Sequence, residues 1–130
     1  MPATHVVDQD AGVVRLTLSG VLTLAEMVST VQAVLADLAP GRRYDVLSDH
    51  RQLQEPATRD QMLQLTDFLV SRGTPFHGRR WAVIVGSAAS YGTIRMIAVH
   101  LEAAPIWTMP FYDAGEAQAW LAEPRNTGGR

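Results

Sequence analysis

Trp107-Thr-Met-Pro-Phe-Tyr-Asp113, followed by Ala114-Gly-Glu-Ala-Gln-Ala-Trp-Leu121, decides the fold. An extended aromatic run reads as a strand. It stops at Asp113, a residue type that accepts hydrogen bonds from the free N–H groups at a helix start. Glu116, Ala117, Trp120 and Leu121 then recur at helical spacing, so a short helix folds back on the strand. A strand closed by a helix is how a small α/β domain completes its core. The stretch specifies architecture and names no reaction.

Strand and helix alternate upstream of it. Trp81-Ala-Val-Ile-Val85 is apolar at every position, the mark of a central strand covered on both sides. Gly86-Ser-Ala-Ala-Ser-Tyr-Gly92 turns from that strand into a third helix ending near Ala104, and Pro105 leads into the final strand. Tyr44-Asp-Val-Leu-Ser48 reads as another main strand, and Asp49 to Pro56 as a polar loop. Thr58 caps a second helix that runs to about Ser71 and stops at Gly73. Thr23, with Glu26 three residues on, forms a capping box for the first helix. Leu24, Met27, Val28, Val31, Leu35 and Leu38 repeat along it at helical spacing, and Pro40-Gly41 ends it.

Near the N-terminus polar and apolar residues alternate. Val14, Leu16 and Leu18 face one way, and Arg15, Thr17 and Ser19 the other, as in a half-buried strand near a sheet edge. His5-Val-Val-Asp8 pairs with it through a turn at Asp10-Ala-Gly12. The predicted order is β-β-α-β-α-β-α-β-α: an α/β fold with a small mixed, mostly parallel sheet and an N-terminal antiparallel edge strand. Single-helix crossovers imply the parallel pairing. One domain is expected over 1–123, with a flexible tail at 124–130.

Composition narrows the chemistry. A chain of 130 residues, 47% hydrophobic and 18% charged, suits one self-sufficient core. A net charge of −2 argues against nucleic acid as a partner, which demands a basic surface. There is no cysteine, so disulfides, thiolate catalysis and Cys-ligated metals are excluded. All 11 basic residues are arginine, which excludes a Schiff-base lysine and the lysine of a phosphate-binding P-loop. No apolar run approaches the roughly 20 residues of a membrane helix. No secretory h-region opens the chain, so the expected location is cytoplasmic.

The element order, the closing Tyr112-Asp113…Glu116-Ala117…Trp120-Leu121, the Gly20-Val-Leu-Thr23 helix entry and the strand end Leu47-Ser48-Asp49 together resemble the SpoIIAA-like (STAS-type) superfamily. The resemblance covers about residues 4 to 122 and implies that fold. Anti-sigma-factor antagonists of the superfamily carry a phosphorylatable serine at the start of the helix after their central strand. Here the junction reads Asp49-His-Arg-Gln-Leu-Gln-Glu-Pro-Ala-Thr58, with no serine, and Thr58 is the hydroxyl nearest the helix start. The resemblance therefore makes Thr58 the phosphorylation candidate. The better match is to an uncharacterised bacterial branch that includes proteins compared with lipid-binding Sec14-like domains.

In open α/β sheets, ligands bind outside the carboxyl ends of the parallel strands. Those ends carry Ser19-Gly20, Ser48-Asp49-His50-Arg51, Gly86-Ser87 and Phe111-Asp113. The ligand-binding candidates are Asp49, His50, Arg51, Ser87, Tyr91 and Arg95, with Arg51 or Arg95 adding charge to an anion held at a helix start. Thr23, Thr58, Ser87 or Ser90, and Asp113 equally fit simple N-caps. His5, His50, His77 and His100 are scattered with no i, i+4 pair, so no metal motif is readable and no cofactor is expected. The third helix is apolar on two stripes, Ile94-Ile97-Ala98-Leu101 and Met96-Val99-Ala103, and Leu63 and Val70 lie off the main face of the second. Such a surplus is a crowded core, a homodimer or protein-partner interface, or a groove for an apolar small molecule. The expected function is a non-catalytic regulatory or ligand-binding domain. The alternatives are a phosphorylation-responsive antagonist and a small enzyme built on Asp49, His50 and Arg51.

Overall fold

The computed structural model describes residues 3–124, so all but Pro124 of the expected tail lies outside the described residues. The elements are β1 (Ala3–Asp8), β2 (Val13–Gly20), α1 (Leu24–Ala36), β3 (Asp45–Leu53), α2 (Arg59–Arg72), a 3-10 turn (Thr74–Phe76), β4 (Arg80–Ile84), α3 (Ala88–Leu101), β5 (Trp107–Phe111) and α4 (Ala114–Ala122). The strands lie in the order β1-β2-β3-β4-β5. β1 is antiparallel to β2, and the other pairs are parallel. The mixed sheet with an antiparallel N-terminal edge is the predicted architecture.

The turn into β2 depends on Gly12, whose φ of 68° lies in the left-handed region that side chains disfavour. Its N–H reaches the Asp8 carbonyl at 2.9 Å. Each helix starts at a side-chain cap. Thr23 and Thr58 both close full capping boxes, with Glu26 and Gln61 as the returning partners. Ser87 and Asp113 accept from the N–H groups of Ser90 and Glu116. The cap reading of these hydroxyls and of Asp113 is therefore correct, whatever further role they have.

Strand alternation divides the sheet into two faces. Val14 and Leu16 of β2, Val46 and Ser48 of β3, and Trp81 and Val83 of β4 share the face covered by α1, α2 and α3. Leu47, Ala82 and Ile84 point the other way, toward Ala117, Trp120 and Leu121 of α4. Among the described residues, the closing helix is the one helix that covers the opposite face. Arg80 holds it there: this buried guanidinium donates to the carbonyls of Trp120 and Glu123 and sits 5.3 Å from the Trp120 ring centre. Asp45, 4% exposed, accepts from Arg79 and from the Arg80 N–H, tying the starts of β3 and β4 together.

One expectation fails. Asp49 to Leu53 is strand, not loop, because β2 continues to Gly20 and pairs with β3 as far as Leu53. The hydrophilic run Asp49-His-Arg-Gln52 conceals this, since side-chain polarity says nothing about backbone pairing. The register is irregular there. Thr17 pairs with Asp49 and Ser19 with Gln52, so β3 uses one more residue than β2 between these rungs, a bulge. Asp49 steadies it by accepting the Arg51 N–H at 3.0 Å.

At the far edge, Trp107 N–H and Phe111 C=O bond toward β4. Alternation then turns Thr108 and Pro110 outward, so the residue without an N–H stands on the open side. Edge-to-edge pairing is blunted by this placement.

Candidate functional site

A cavity of about 70 Å³ lies between the sheet and its three-helix layer. Leu16 and Leu18 of β2 and Trp81 and Val83 of β4 form much of its floor. Met27 and Val31 of α1, Met62, Leu65 and Leu69 of α2, and Ile94, Ile97 and Leu101 of α3 form the roof. Its existence follows from the small side chains in the wall, Thr30, Ser48, Ala57 and Thr108, which leave volume that a Leu or Phe would fill. An unfilled cavity of this size costs roughly 2 kcal/mol at about 24 cal/mol per Å³.

His50 stands at one end of this space. It also lines a shallower depression of about 20 Å³ with Pro56, Ser90 and Thr93. The two spaces share His50, Leu53, Ala57, Met62 and Ile94, so the depression is the outer continuation of the cavity. It opens beside the starts of α2 and α3, at the carboxyl ends of the parallel strands, where such sheets place ligands. Burial among apolar groups pushes the His50 imidazole down to about 4, with Asp49 pulling weakly the other way. His50 is therefore neutral at pH 7.

The cavity's polar groups differ in how far they are satisfied. Thr30 and Thr108 donate their hydroxyl protons to the carbonyls of Glu26 and Ile106. Ser48, 1% exposed, accepts from Trp81 Nε1 at 3.1 Å. Its own proton has no acceptor among the described residues.

The six predicted ligand-binding residues do not converge. Asp49 and Arg51 form a two-pronged ion pair, at 3.0 and 2.8 Å, with Asp113 near enough to favour the Arg51 charge. This pairing holds the Asp49 carboxyl below its usual range. Neither residue lines the cavity that His50 enters. Ser87 caps α3, Tyr91 stacks on Tyr112 at 4.9 Å, and Arg95 is exposed. Thr58 is exposed, and its hydroxyl accepts from the Gln61 N–H. Among the described residues no group of three or more acidic or histidine side chains could hold a metal. On α3 the Ile94-Ile97-Leu101 stripe roofs the cavity. On the second stripe, Val99 is 65% exposed.

Of the polar residues lining the two spaces, His50 is among the candidates read from the sequence, and Ser48, Ser90 and Thr93 are not. A signal existed for Ser48: alternation along the strand aligns it with Val46 on the core face, where a hydroxyl needs a reason. The depth of the cavity had no local signal.

The fold is SpoIIAA-like. A crystal structure of an uncharacterised DUF3478-family protein with that fold, from Shewanella loihica PV-4, matches with a TM-score of 0.61 over 92% of each chain. At 20% identity, the likeness establishes the fold and says nothing of activity. No family model matches the chain, and no curated protein does.

Proposed function

We propose that this protein is a non-catalytic binding module that holds a small apolar molecule between the sheet and helices α1 to α3. The apolar cavity with its outward continuation at His50 carries this reading. A natural core closes such space unless something occupies it, because empty volume forfeits dispersion contacts. An apolar cavity of roughly 150 Å³ takes benzene, so about 70 Å³ suits a few carbon atoms, such as the end of an alkyl chain.

Hexanol is the simplest probe. Titration should raise the melting temperature in proportion to the logarithm of its concentration once the site saturates. Thr30→Ile, which adds carbon to the cavity wall, should raise the melting temperature without ligand and abolish the hexanol response. A wild-type melting temperature that hexanol leaves unchanged, with Thr30→Ile no more stable, would remove the basis of the proposal. Native mass spectrometry of protein purified from cells reads a retained ligand and the homodimer or partner state together.

A further inference from the structure

Resting on that reading, we infer that the guest is a short-chain monocarboxylic acid, with its carboxyl group against Ser48 and His50 and its alkyl chain running into the cavity among the α2 and α3 side chains.

Three observations carry this. Ser48 is almost wholly buried, faces the cavity, and has a hydroxyl proton with no acceptor among the described residues. Buried donors are normally satisfied, and a vacant one in a cavity wall marks where an acceptor belongs. His50 faces the same space two residues along β3; it is half-buried, and its ring nitrogens make no hydrogen bond to the described residues but are not sealed from solvent. At about 3.3 Å per residue the two positions are roughly 6.6 Å apart along the strand. One carboxyl group bridges such a gap with a hydrogen bond of about 2.7–2.9 Å at each oxygen. The remaining wall hydroxyls, Thr30 and Thr108, already donate to backbone carbonyls, so Ser48 and His50 are the cavity's uncommitted donors.

The charge balance follows from burial. A carboxylate without a countercharge is not stable in an apolar site. Among the described residues no arginine lines either space. Among the side chains that β2, α1, α2, α3, β4 and β5 contribute to the two spaces, none is titratable. Glu55, Arg59, Asp60 and Arg95 on the neighbouring segments are exposed, Glu26 is engaged in its capping box, and Asp49 is paired with Arg51. The complex therefore holds one proton more than its separated parts at pH 7, on the imidazole or on the acid. The free acid is ionised and free His50 is neutral, so that proton comes from solvent. No covalent bond forms or breaks.

Isothermal titration of the full chain with hexanoic acid and with hexanol, in buffers of different ionisation enthalpy, tests the inference. Hexanoic acid should bind at least tenfold more tightly than hexanol at pH 6 and take up close to one proton. Its dissociation constant should rise about tenfold per pH unit from 6 to 8, while that of hexanol stays flat. In His50→Leu the acid preference should vanish while hexanol still binds, which also shows that the variant is folded. Equal binding of acid and alcohol with no proton uptake overturns the carboxyl inference and leaves the apolar-cavity reading standing; water then fills the Ser48–His50 gap. Binding of neither guest overturns both.

Discussion

Ser48→Ala removes the acceptor of a buried indole N–H. Trp81 is 9% exposed and Ser48 1%, and the bond between them measures 3.1 Å, so no solvent replaces the lost oxygen without rearrangement. Leaving a buried donor unsatisfied costs about 1–3 kcal/mol. The serine proton, itself without an acceptor, is removed by the same change, which returns roughly 1 kcal/mol. The net expectation is a loss of up to about 2 kcal/mol, or up to roughly 8 °C in melting temperature for a chain of this size. Trp81→Phe keeps a ring against Phe76, now an edge contact at 5.2 Å, and removes the donor. The double variant should lose less than the two single losses summed, by about 1 kcal/mol, because neither partner is then stranded. Urea denaturation followed by circular dichroism measures all four corners of this cycle. A coupling below about 0.3 kcal/mol would refute the role given to this bond.

The remaining predictions rest on other parts of the molecule. The unfolded-state imidazole titrates near 6.5 and the folded His50 near 4, so the unfolded chain binds the extra proton between these values. Stability should therefore be full above about pH 6.5 and fall as the pH drops toward 4, with a shallower decline in His50→Gln, measured by urea midpoints at pH 7 and pH 5. Arg80→Met frees the carbonyls of Trp120 and Glu123 and should raise amide exchange across Ala114–Ala122 by an order of magnitude or more, while β4 stays protected. Gly12→Ala forces a side chain into φ of 68° and within 3.3 Å of the Arg42 guanidinium. It should cost about 1–2 kcal/mol, read as a lowered urea midpoint with an unchanged slope.

Local features of the fold were legible because they have local causes. The Thr23–Glu26 box, the Asp113 cap, the apolar run Trp81–Ile84 of β4 and the stop at Gly73 each depend on residues within a few positions of one another. The continuation of β3 through Asp49-His-Arg-Gln52 was not legible, since a strand from elsewhere in the chain dictates it and the bulge adds a residue that disturbs alternation. That misreading grouped Asp49, His50 and Arg51 as one loop site. In the structure His50 lines the cavity, while Asp49 and Arg51 satisfy each other. The cavity is a shortfall of volume shared among four strands and three helices remote in sequence, and no window of residues reports it. Arg80 escaped notice for a similar reason, because its partners lie 40 and 43 residues away.

Methyl-resolved NMR tests the central claim most directly. Hexanol added to isotope-labelled protein should shift the methyl signals of Leu16, Met27, Met62, Ile94 and Ile97, which line the cavity, and leave exposed Val6, Val21 and Val99 unmoved. Nuclear Overhauser contacts should run from the guest to the cavity methyls. Shifts confined to the exposed valines, or no shift at concentrations that saturate comparable cavities, would contradict an apolar binding site in this fold.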